Sequence, residues 1–296
     1  MRTYIDEEAL MKLIQRHGYL DFLRRNRERP IIKVVSGIRR CGKSTLFRLF
    51  KDELLADNVK PEQIISINFE ELEYEHLRDY HALYQYILER MQPDEMNYIF
   101  LDEIQHVDQF HRVVDSLFVK ENTDLYITGS NAYFMSSDIA TLLTGRYVEI
   151  QMLPLSFSEF YHSKYDVNQY FLIPAYESYL RESSFPYTQQ LGGEDFDIQE
   201  YLRGLYNTLL LHDVVARLKI NDVTILQDIV RYIMANVGSL LSPNKIANSL
   251  VSAGRKIDNK TVERYLQGLQ DSLLLYKVNR YDVRGKELLR INAKYY

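Results

Sequence analysis

Two patterns of hydrophobic and polar residues alternate between residues 31 and 151. Short apolar runs rich in β-branched and aromatic residues are separated by longer stretches in which apolar residues recur every three or four positions. The short runs are typical of buried strands and the longer stretches of amphipathic helices. The alternation predicts an α/β fold in which a parallel sheet has helices on both faces. The predicted strands are residues 31–35, 64–69, 98–101, 125–128 and 148–150.

Helical patterns dominate the rest of the chain. The first thirty residues carry an apolar stripe that ends before Pro30, and residues 157–221 are rich in Tyr and Leu. From Val223 onwards, three helical stretches precede two apolar runs, 273–278 and 287–291, that flank a turn. This is the order of elements in a winged helix. The sequence therefore predicts an N-terminal helical segment (1–30), an α/β core (31–152), a helical connector or lid (153–222) and a winged helix (223–296).

Composition narrows the class of protein. Of the 296 residues, 46% are hydrophobic and 26% are charged, which is the balance of a globular protein and excludes a disordered or collagen-like chain. No apolar run approaches the roughly 20 residues that span a bilayer, and the N-terminus lacks the layout of a signal peptide. The single cysteine, Cys41, excludes an intrachain disulfide. These features predict a cytoplasmic protein with no membrane partner.

Charge is unevenly distributed along the chain. The whole chain has a net charge of −5, but residues 223–296 contain 12 Lys and Arg against 6 Asp and Glu, so they carry +6 and the remainder −11. A basic terminal region indicates either a surface for DNA phosphates or a solvated face that packs against protein, and both remain open. Its candidate phosphate contacts are Arg255, Lys256, Lys260, Arg264, Arg280, Arg284 and Lys286.

The clearest chemical signal follows the first predicted strand. Residues 37–44 read Gly-Ile-Arg-Arg-Cys-Gly-Lys-Ser and match G-x-x-x-x-G-K-[ST], with a helical pattern directly after them. In such a phosphate loop, backbone N–H groups and a helix N-terminus face the phosphates, the lysine contacts the β- and γ-phosphates, and the Ser44 hydroxyl binds Mg²⁺. The predicted nucleotide-binding residues are Gly37, Ile38, Arg39, Arg40, Cys41, Gly42, Lys43, Ser44 and Thr45.

Two acids at the end of the third predicted strand complete a magnesium and water site. Asp102 and Glu103 follow four apolar residues, 59 and 60 positions after Lys43. The carboxyl ends of parallel strands share one edge of the sheet, so Asp102 is expected to lie beside the loop and hold Mg²⁺ through its water shell. Glu103 is then placed to polarise the attacking water as a general base.

Four further residues are candidates for roles at this site. Ser130 and Asn131 follow the fourth predicted strand, where a polar side chain touches the γ-phosphate or the attacking water. Asn68, at the end of the second strand, is a candidate to hold Glu103 away from water, and Arg146 is a candidate cation for the transition state.

Cys41 lies inside the phosphate loop. Its thiol is expected to have a lowered pKa because Lys43 and the helix dipole are close to it, and its modification would then block nucleotide binding. The alternative is that Cys41 is an inert small residue.

Five segments in a fixed order resemble a known family, the prokaryotic AAA-family ATPases that carry a C-terminal domain of unknown function. The segments are residues 37–45, 100–105 (Phe-Leu-Asp-Glu-Ile-Gln), 128–132 (Thr-Gly-Ser-Asn-Ala), 143–147 (Leu-Thr-Gly-Arg-Tyr) and 154–160 (Pro-Leu-Ser-Phe-Ser-Glu-Phe). The resemblance implies a P-loop ATPase core, a helical connector and a winged helix, followed by a restriction-endonuclease-like domain. It also places Asn131 and Arg146 in catalytic positions.

Two departures from the family are visible. Residues 183–186 read Ser-Ser-Phe-Pro where such proteins often have Gly-Gly-x-Pro, which puts the geometry of this turn in question. The chain also ends at Tyr295-Tyr296, a sequence that resembles the entry into the nuclease-like domain, so a truncated length is expected.

Three functions are compatible with these residues. The first is Mg²⁺-dependent ATP hydrolysis that switches the arrangement of the core, the connector and the winged helix. The second is a nucleotide-gated DNA- or protein-binding switch with negligible turnover, in which ATP stabilises one conformation. A small-molecule kinase fits less well, because the Asp-Glu pair favours hydrolysis and no acceptor pocket can be identified. Oligomerisation, and whether Arg146 acts in its own subunit or in a neighbour, are left open.

Overall fold

The computed structural model describes residues 13–130, 143, 145–165, 171–191, 195–220, 222–279 and 292–296. The chain divides into two compact units, Met1–Tyr201 and Leu202–Tyr296. The helix α7 (Asp195–Thr208) contributes residues to both of them.

Five described strands of the first unit form a parallel sheet in the order β2-β3-β4-β1-β5. Each strand overlaps one of the five apolar runs, so the prediction of a parallel α/β sheet is confirmed. The strands are β1 (Ile32–Gly37), β2 (Ile64–Asn68), β3 (Asn97–Asp102), β4 (Thr123–Ser130) and β5 (Tyr147–Met152).

Helices cover both faces of this sheet. Side chains alternate between the faces of a strand, so Phe100 faces one layer of helices while Leu101 faces the other. Phe100 stacks with Tyr126 of β4 at 4.7 Å between ring centroids and meets Phe47 of α2 at 5.2 Å. Leu101 belongs to the core that also buries apolar residues of α3 and α4. The first four helices are α1 (His17–Asn26), α2 (Lys43–Ala56), α3 (Tyr80–Leu88) and α4 (Phe110–Phe118).

After β5, the described residues of the first unit are mostly helical. They include α5 (Phe157–Lys164), α6 (Leu172–Glu182) and a 3₁₀ turn (Pro186–Gln190). Between α6 and this turn, Ser183 has φ 75° and ψ 164°, a backbone conformation that is nearly restricted to glycine and costs other residues about 1–3 kcal/mol. Serine therefore adopts under strain a conformation that glycine adopts freely.

The second unit places three helices beside a small antiparallel sheet. The helices are α8 (Val223–Met234), α9 (Pro243–Ser252) and α10 (Asn259–Asp271); each is capped by a side chain, that of Asp222, Ser242 or Asp258, which accepts a backbone N–H. A π-helical segment, Leu209–Ala216, precedes them. In the described residues the sheet has the order β6-β8-β7, with β6 (Leu240–Leu241), β7 (Lys277–Asn279) and β8 (Ala293–Tyr295).

The hairpin prediction for this unit is only partly testable. The first predicted strand, residues 273–278, overlaps β7, whereas the second, residues 287–291, lies outside the described residues. The strand that pairs with both β6 and β7 is β8. Tyr296 exchanges two backbone hydrogen bonds with Tyr276, at 2.7 and 2.9 Å, so the last residues of the chain belong to this sheet.

We examined the described helices for a candidate membrane span and found none. None of these described helices combines the length and the apolar character that crossing a bilayer requires.

Candidate functional site

The loop between β1 and α2 is shaped by two glycines. Gly37 ends β1, and a Cβ atom added to it would lie 2.3 Å from the carbonyl oxygen of Met152 in the neighbouring strand β5. Gly42 lies directly before α2 in the left-handed region, with φ 104°. Only glycine allows both the close approach at the first position and the reversed turn at the second without strain. The backbone thus has the strand-loop-helix geometry that the motif predicts.

Lys43, the first residue of α2, is buried and bridges the loop to the end of β3. Its Nζ donates to the carbonyl oxygens of Gly37 (3.1 Å) and Ile38 (3.5 Å) and lies 3.2 Å from Glu103 Oε1. Burial opposes the charged form, but the carboxylate of Glu103 outweighs it and raises the pKa of Lys43. The ammonium group is therefore retained inside the loop.

Asp102 lies at the end of β3 in a network of hydroxyl groups. Leu101 pairs with Ile127 across the sheet, which brings Asp102 beside Thr128 of β4. The Thr128 hydroxyl donates to Asp102, and the Ser44 side chain is a further hydrogen-bond partner. Burial raises the pKa of Asp102, while these two hydroxyl groups act in the opposite direction. Asp102 and Ser44 thus meet, as predicted.

Glu103 is held in a defined orientation by three neighbours. It adopts the left-handed conformation (φ 54°), and its backbone N–H donates to Thr128 Oγ1 at 2.9 Å. Its carboxylate accepts from the Gln105 amide and pairs with Lys43. Burial favours the neutral carboxyl group, but the positive charge of Lys43 and the Gln105 amide together lower the pKa of Glu103. Glu103 is therefore a carboxylate, and its negative charge is engaged by Lys43.

Two adjoining cavities open beside the loop within the first unit. One has a volume of about 570 Å³ and is bordered by Lys43, Ser44 and Glu103. The Tyr201 side chain also lines it, and the buried Tyr201 hydroxyl has no hydrogen-bond partner among the described residues. The second cavity, of about 750 Å³, has more apolar walls, which include Leu46, Leu49, Met152 and Leu155. The two cavities share Gly42, Thr45, Pro186, Tyr187 and Gln190.

The oxygen atoms at the first cavity suit Mg²⁺ when it arrives with a phosphate. No group of three or more His, Cys, Asp or Glu side chains within the described ranges forms a metal site. Mg²⁺ bound with phosphates needs fewer protein ligands, because the phosphates and water fill the other positions. The hydroxyl of Ser44 and the carboxylate of Asp102, already in contact, are suitable for this purpose.

The other loop residues have mixed surroundings. Arg39 lies 3.4 Å from Glu70, and Arg40 is exposed with φ 66°; both border the first cavity. Ile38 contributes its carbonyl oxygen to Lys43, and Thr45 borders both cavities.

The expected lowering of the Cys41 pKa is wrong. This residue is fully buried, and burial raises the pKa of its thiol more than the neighbouring Lys43 lowers it, so the thiol is protonated and inaccessible in this conformation.

Of the roles predicted for Asn68, Ser130 and Asn131, the structure tests only that of Asn68. Asn68 contacts Glu71 and the backbone of Glu70 and not Glu103, so the predicted Asn68–Glu103 contact is wrong for this conformation. Ser130 pairs with Gly37 through the backbone, but its side chain and all of Asn131 lie outside the described residues.

Arg146 lies at the edge of the sheet opposite the loop. Its carbonyl oxygen accepts from the N–H of Ile32 at the start of β1, whereas the loop follows the end of β1. Six residues of strand span about 16 Å, so Arg146 does not reach the cavity beside Lys43. Its side chain is about half exposed and lies 3.7 Å from Asp115. A catalytic role within its own subunit is therefore excluded by the fold, because β5 runs parallel to β1.

Two residues that contact the acids were not singled out from the sequence. Thr128 bonds both Asp102 and the backbone of Glu103. The Gln105 amide donates to Glu103, and its buried Oε1 has no hydrogen-bond partner in the part of the chain that the structure describes. A polar residue that ends an apolar strand was the available signal for Thr128. Gln105 was visible only as part of a family motif.

The basic residues of the second unit are only partly available for a ligand. Arg255 is paired with Asp228 at 2.7 Å. Lys256, Lys260 and Arg264 are exposed. The remaining three, Arg280, Arg284 and Lys286, lie outside the described residues.

Comparisons with known proteins agree with this geometry. Residues 29–161 match the family model of an AAA domain, and residues 173–296 match a domain of unknown function, DUF8612. The matched families give no support to the expected restriction-endonuclease-like domain. The solved structure of a Walker-type ATPase of Pyrococcus abyssi superposes with a TM-score of 0.58 at 17% identity, covering 89% of this chain and 91% of that one.

Two uncharacterised proteins are similar over most of the chain. A protein of Haemophilus influenzae is 39% identical over 287 residues, which are 96% of this chain and 71% of the relative. A protein of Methanocaldococcus jannaschii is 28% identical over 87% of this chain and 58% of its own length. The chain belongs to the same family as the Haemophilus protein, and its residues 29–161 form an AAA domain with the P-loop fold.

Proposed function

We propose that this protein binds ATP with Mg²⁺ and hydrolyses it at the loop that follows β1. The observation that carries the proposal is the convergence of Lys43, Asp102 and Glu103 at one edge of the sheet, beside an open cavity. Phosphoryl transfer to water depends on positioning and on charge stabilisation more than on covalent chemistry. An ammonium group, a magnesium-binding carboxylate and a second carboxylate are the charges that this reaction requires.

The residues would act in a defined order. The phosphates enter the first cavity and offer Lys43 a stronger partner than the carbonyl oxygens of Gly37 and Ile38. Ser44 and Asp102 would hold Mg²⁺, which would neutralise charge on the phosphates. Glu103, no longer paired with Lys43, would accept a hydrogen bond from the attacking water while the Gln105 amide keeps its carboxylate oriented. While Lys43 and the Gln105 amide contact it, the pKa of Glu103 is lowered against the effect of burial, so Glu103 enters the reaction as a carboxylate.

The second cavity is the place for the nucleoside. It adjoins the phosphate cavity, its walls are largely apolar, and its volume of about 750 Å³ is in the range of pockets for small ligands. Aromatic and aliphatic walls favour a flat base over free phosphate.

In the described residues, the second unit runs through a helix, a short strand, two helices and two strands, an order that supports the proposal of a winged helix. We infer that it is the module whose arrangement hydrolysis switches. The exposed Lys256, Lys260 and Arg264 favour contact with DNA phosphates, while the pairing of Arg255 with Asp228 favours a packing role, so the choice of partner depends on experiment.

A steady-state assay of phosphate release tests the proposal. Lys43→Ala is expected to abolish ATP binding, because it removes the cation of the loop, and Glu103→Gln is expected to bind ATP while hydrolysing it at least about 100-fold more slowly. Lys60→Ala is the matched control, since Lys60 is exposed and pairs only with Glu95 among described residues. Turnover by Glu103→Gln at the wild-type rate would show that Glu103 is not the general base.

One observation favours the alternative of a nucleotide-gated switch with negligible turnover. Glu103 is engaged by both Lys43 and Gln105, so its carboxylate is not free for water in this conformation. Turnover measured with and without duplex DNA distinguishes the two functions. A switch would bind ATP tightly and release almost no phosphate under either condition. A steep loss of DNA binding with added salt would indicate real phosphate contacts.

A further inference from the structure

Arg16 lies outside every motif, yet it has five hydrogen bonds within the first unit. It precedes α1, and only 4% of its surface is exposed. Its guanidinium group meets the Glu159 carboxylate through two nearly parallel bonds, Nε to Oε1 at 2.7 Å and an Nη atom to Oε2 at 2.9 Å. This bidentate geometry is the strongest pairing available to arginine. Burial favours the neutral form of Glu159, but Arg16 and the backbone N–H of Ser156 lower its pKa.

The remaining donors of Arg16 bind three backbone carbonyl oxygens. They are those of Cys41 at 3.2 Å, Leu153 at 2.7 Å and Pro154 at 3.3 Å. The first belongs to the phosphate loop, and the other two belong to the segment that follows β5. A single side chain thus connects the N-terminal segment, the loop and the start of α5. In the sequence, Cys41 of the loop is 25 positions and Glu159 of α5 is 143 positions away from Arg16.

The bond to Cys41 orients a peptide group of the loop. In a trans peptide the carbonyl oxygen and the following N–H point in opposite directions. With its oxygen directed at Arg16, the Cys41–Gly42 peptide directs the Gly42 N–H away from Arg16. Gly42 borders both cavities, and N–H groups of such a loop are the ligands of phosphate. Arg16 therefore stabilises the loop from the side opposite to the Gly42 N–H group.

Arg16 lines the second cavity and connects two segments that contribute to its walls. Leu13 and Ile14, which precede it, line one wall, and Leu155, which follows the Arg16-bound carbonyl of Pro154, lines another. Glu159 also accepts from Ser156 N at 2.8 Å and caps α5, so the 154–160 segment is rigid where Arg16 binds it.

We propose that Arg16 is a positioning residue for nucleotide binding: paired with Glu159, it holds the phosphate loop and the walls of the nucleoside cavity in their binding arrangement. The inference rests on the proposed function, and it assigns a role to the Pro-Leu-Ser-Phe-Ser-Glu-Phe segment. Among the described residues, the hydrogen bonds of Arg16 go to Glu159 and to three backbone carbonyl oxygens and not to Lys43, Asp102 or Glu103, so its loss is expected to weaken ATP binding and to leave the chemical step nearly unchanged.

The test compares Arg16→Gln with Arg24→Gln in the full chain. Arg24 is a matched control, because it also pairs with a glutamate, Glu53, at 2.6 and 2.8 Å, but this exposed pair joins α1 to α2 away from both cavities. For Arg16→Gln we expect the Kd of MgATP by calorimetry and the KM in phosphate release to rise about tenfold or more, with kcat within about twofold. Arg24→Gln should match the wild type.

Two more variants keep the proposal falsifiable. Arg16→Lys retains the charge but not the planar fork, so its Kd should lie between those of wild type and Arg16→Gln. If thermal unfolding shows that Arg16→Gln does not fold, Glu159→Gln is measured instead, since it keeps the shape of the pair, and it should raise the Kd in the same direction.

The outcomes separate two failures. A wild-type protein that binds no MgATP would overturn the proposed function and this inference with it. A wild type that binds MgATP, beside folded Arg16→Gln or Glu159→Gln variants with unchanged Kd, would overturn the positioning role alone. A lower kcat with unchanged KM would indicate partial unfolding and would likewise contradict the proposal.

Discussion

Thr128→Val tests whether one hydroxyl group aligns the two acids of the site. The Thr128 hydroxyl accepts from Glu103 N at 2.9 Å and donates to Asp102, and the residue is fully buried. Valine has nearly the same shape, so the substitution removes both hydrogen bonds without leaving a large cavity. Glu103 keeps its left-handed backbone conformation with one contact fewer, and Asp102 loses a donor.

The magnitude follows from the burial of both partners. A buried N–H without a partner costs about 1–3 kcal/mol, and a lost bond to a carboxylate costs about 1.5–3 kcal/mol. Partial relaxation of the surrounding side chains reduces the sum of these two costs. We therefore expect the free energy of unfolding to fall by about 2–4 kcal/mol. If about 1.4–2.8 kcal/mol of this also appears in the transition state, kcat falls about 10- to 100-fold.

The pH dependence has a definite sign. Burial already raises the pKa of Asp102, and Thr128 is one of the groups that lower it. Removing the hydroxyl raises the pKa of Asp102 further, so a larger fraction of this carboxyl group is protonated at the acidic end of the pH range. A magnesium ligand must be ionised. The Mg²⁺ concentration for half-maximal activity should therefore rise, and it should rise more at pH 6 than at pH 8.

The assay is phosphate release as a function of Mg²⁺, combined with urea unfolding. Thr123→Val is the control, because Thr123 begins the same strand and donates only to the backbone carbonyl oxygens of Leu117 and Lys120, at 2.8 and 2.9 Å. It should lower stability by about 1 kcal/mol and leave kcat and the Mg²⁺ requirement unchanged. Wild-type kcat and Mg²⁺ dependence in Thr128→Val would refute the reasoning.

Two other predictions concern the loop and the opposite edge of the sheet. Gly37→Ala should weaken MgATP binding about tenfold or more, because its Cβ would lie 2.3 Å from the Met152 carbonyl oxygen; in a binding titration, Gly18→Ala, which meets no atom within 4 Å, should be neutral. Arg146 does not reach its own site, so a catalytic role requires that it complete the site of a neighbouring subunit; in that case Arg146→Ala is inactive alone and regains activity when mixed with Lys43→Ala in a phosphate-release assay. Mixtures as inactive as their components would argue against a shared site.

Much of the fold was predictable because burial leaves a periodic signal in the chain. All five strands of the large sheet overlap apolar runs, and the sheet is parallel because helices separate those runs. The side chains of Ser242 and Asp258 cap α9 and α10, because a short polar side chain before a helix satisfies its free N–H groups. The second predicted strand of the hairpin, residues 287–291, lies outside the described residues, and β8 has only three residues, which are too few to show a periodic pattern.

The sequence by itself determined the chemistry of the loop and the two acids, because a fixed spacing of Gly, Lys and Ser encodes a local backbone geometry. Tertiary structure decided what surrounds them. Burial reversed the expected pKa shift of Cys41, and the parallel pairing of β1 with β5 placed Arg146 at the far edge. The pairing of Arg16 with Glu159 joins residues 143 positions apart. Such contacts depend on how strands and helices are ordered in space, and no local pattern of residues records that order.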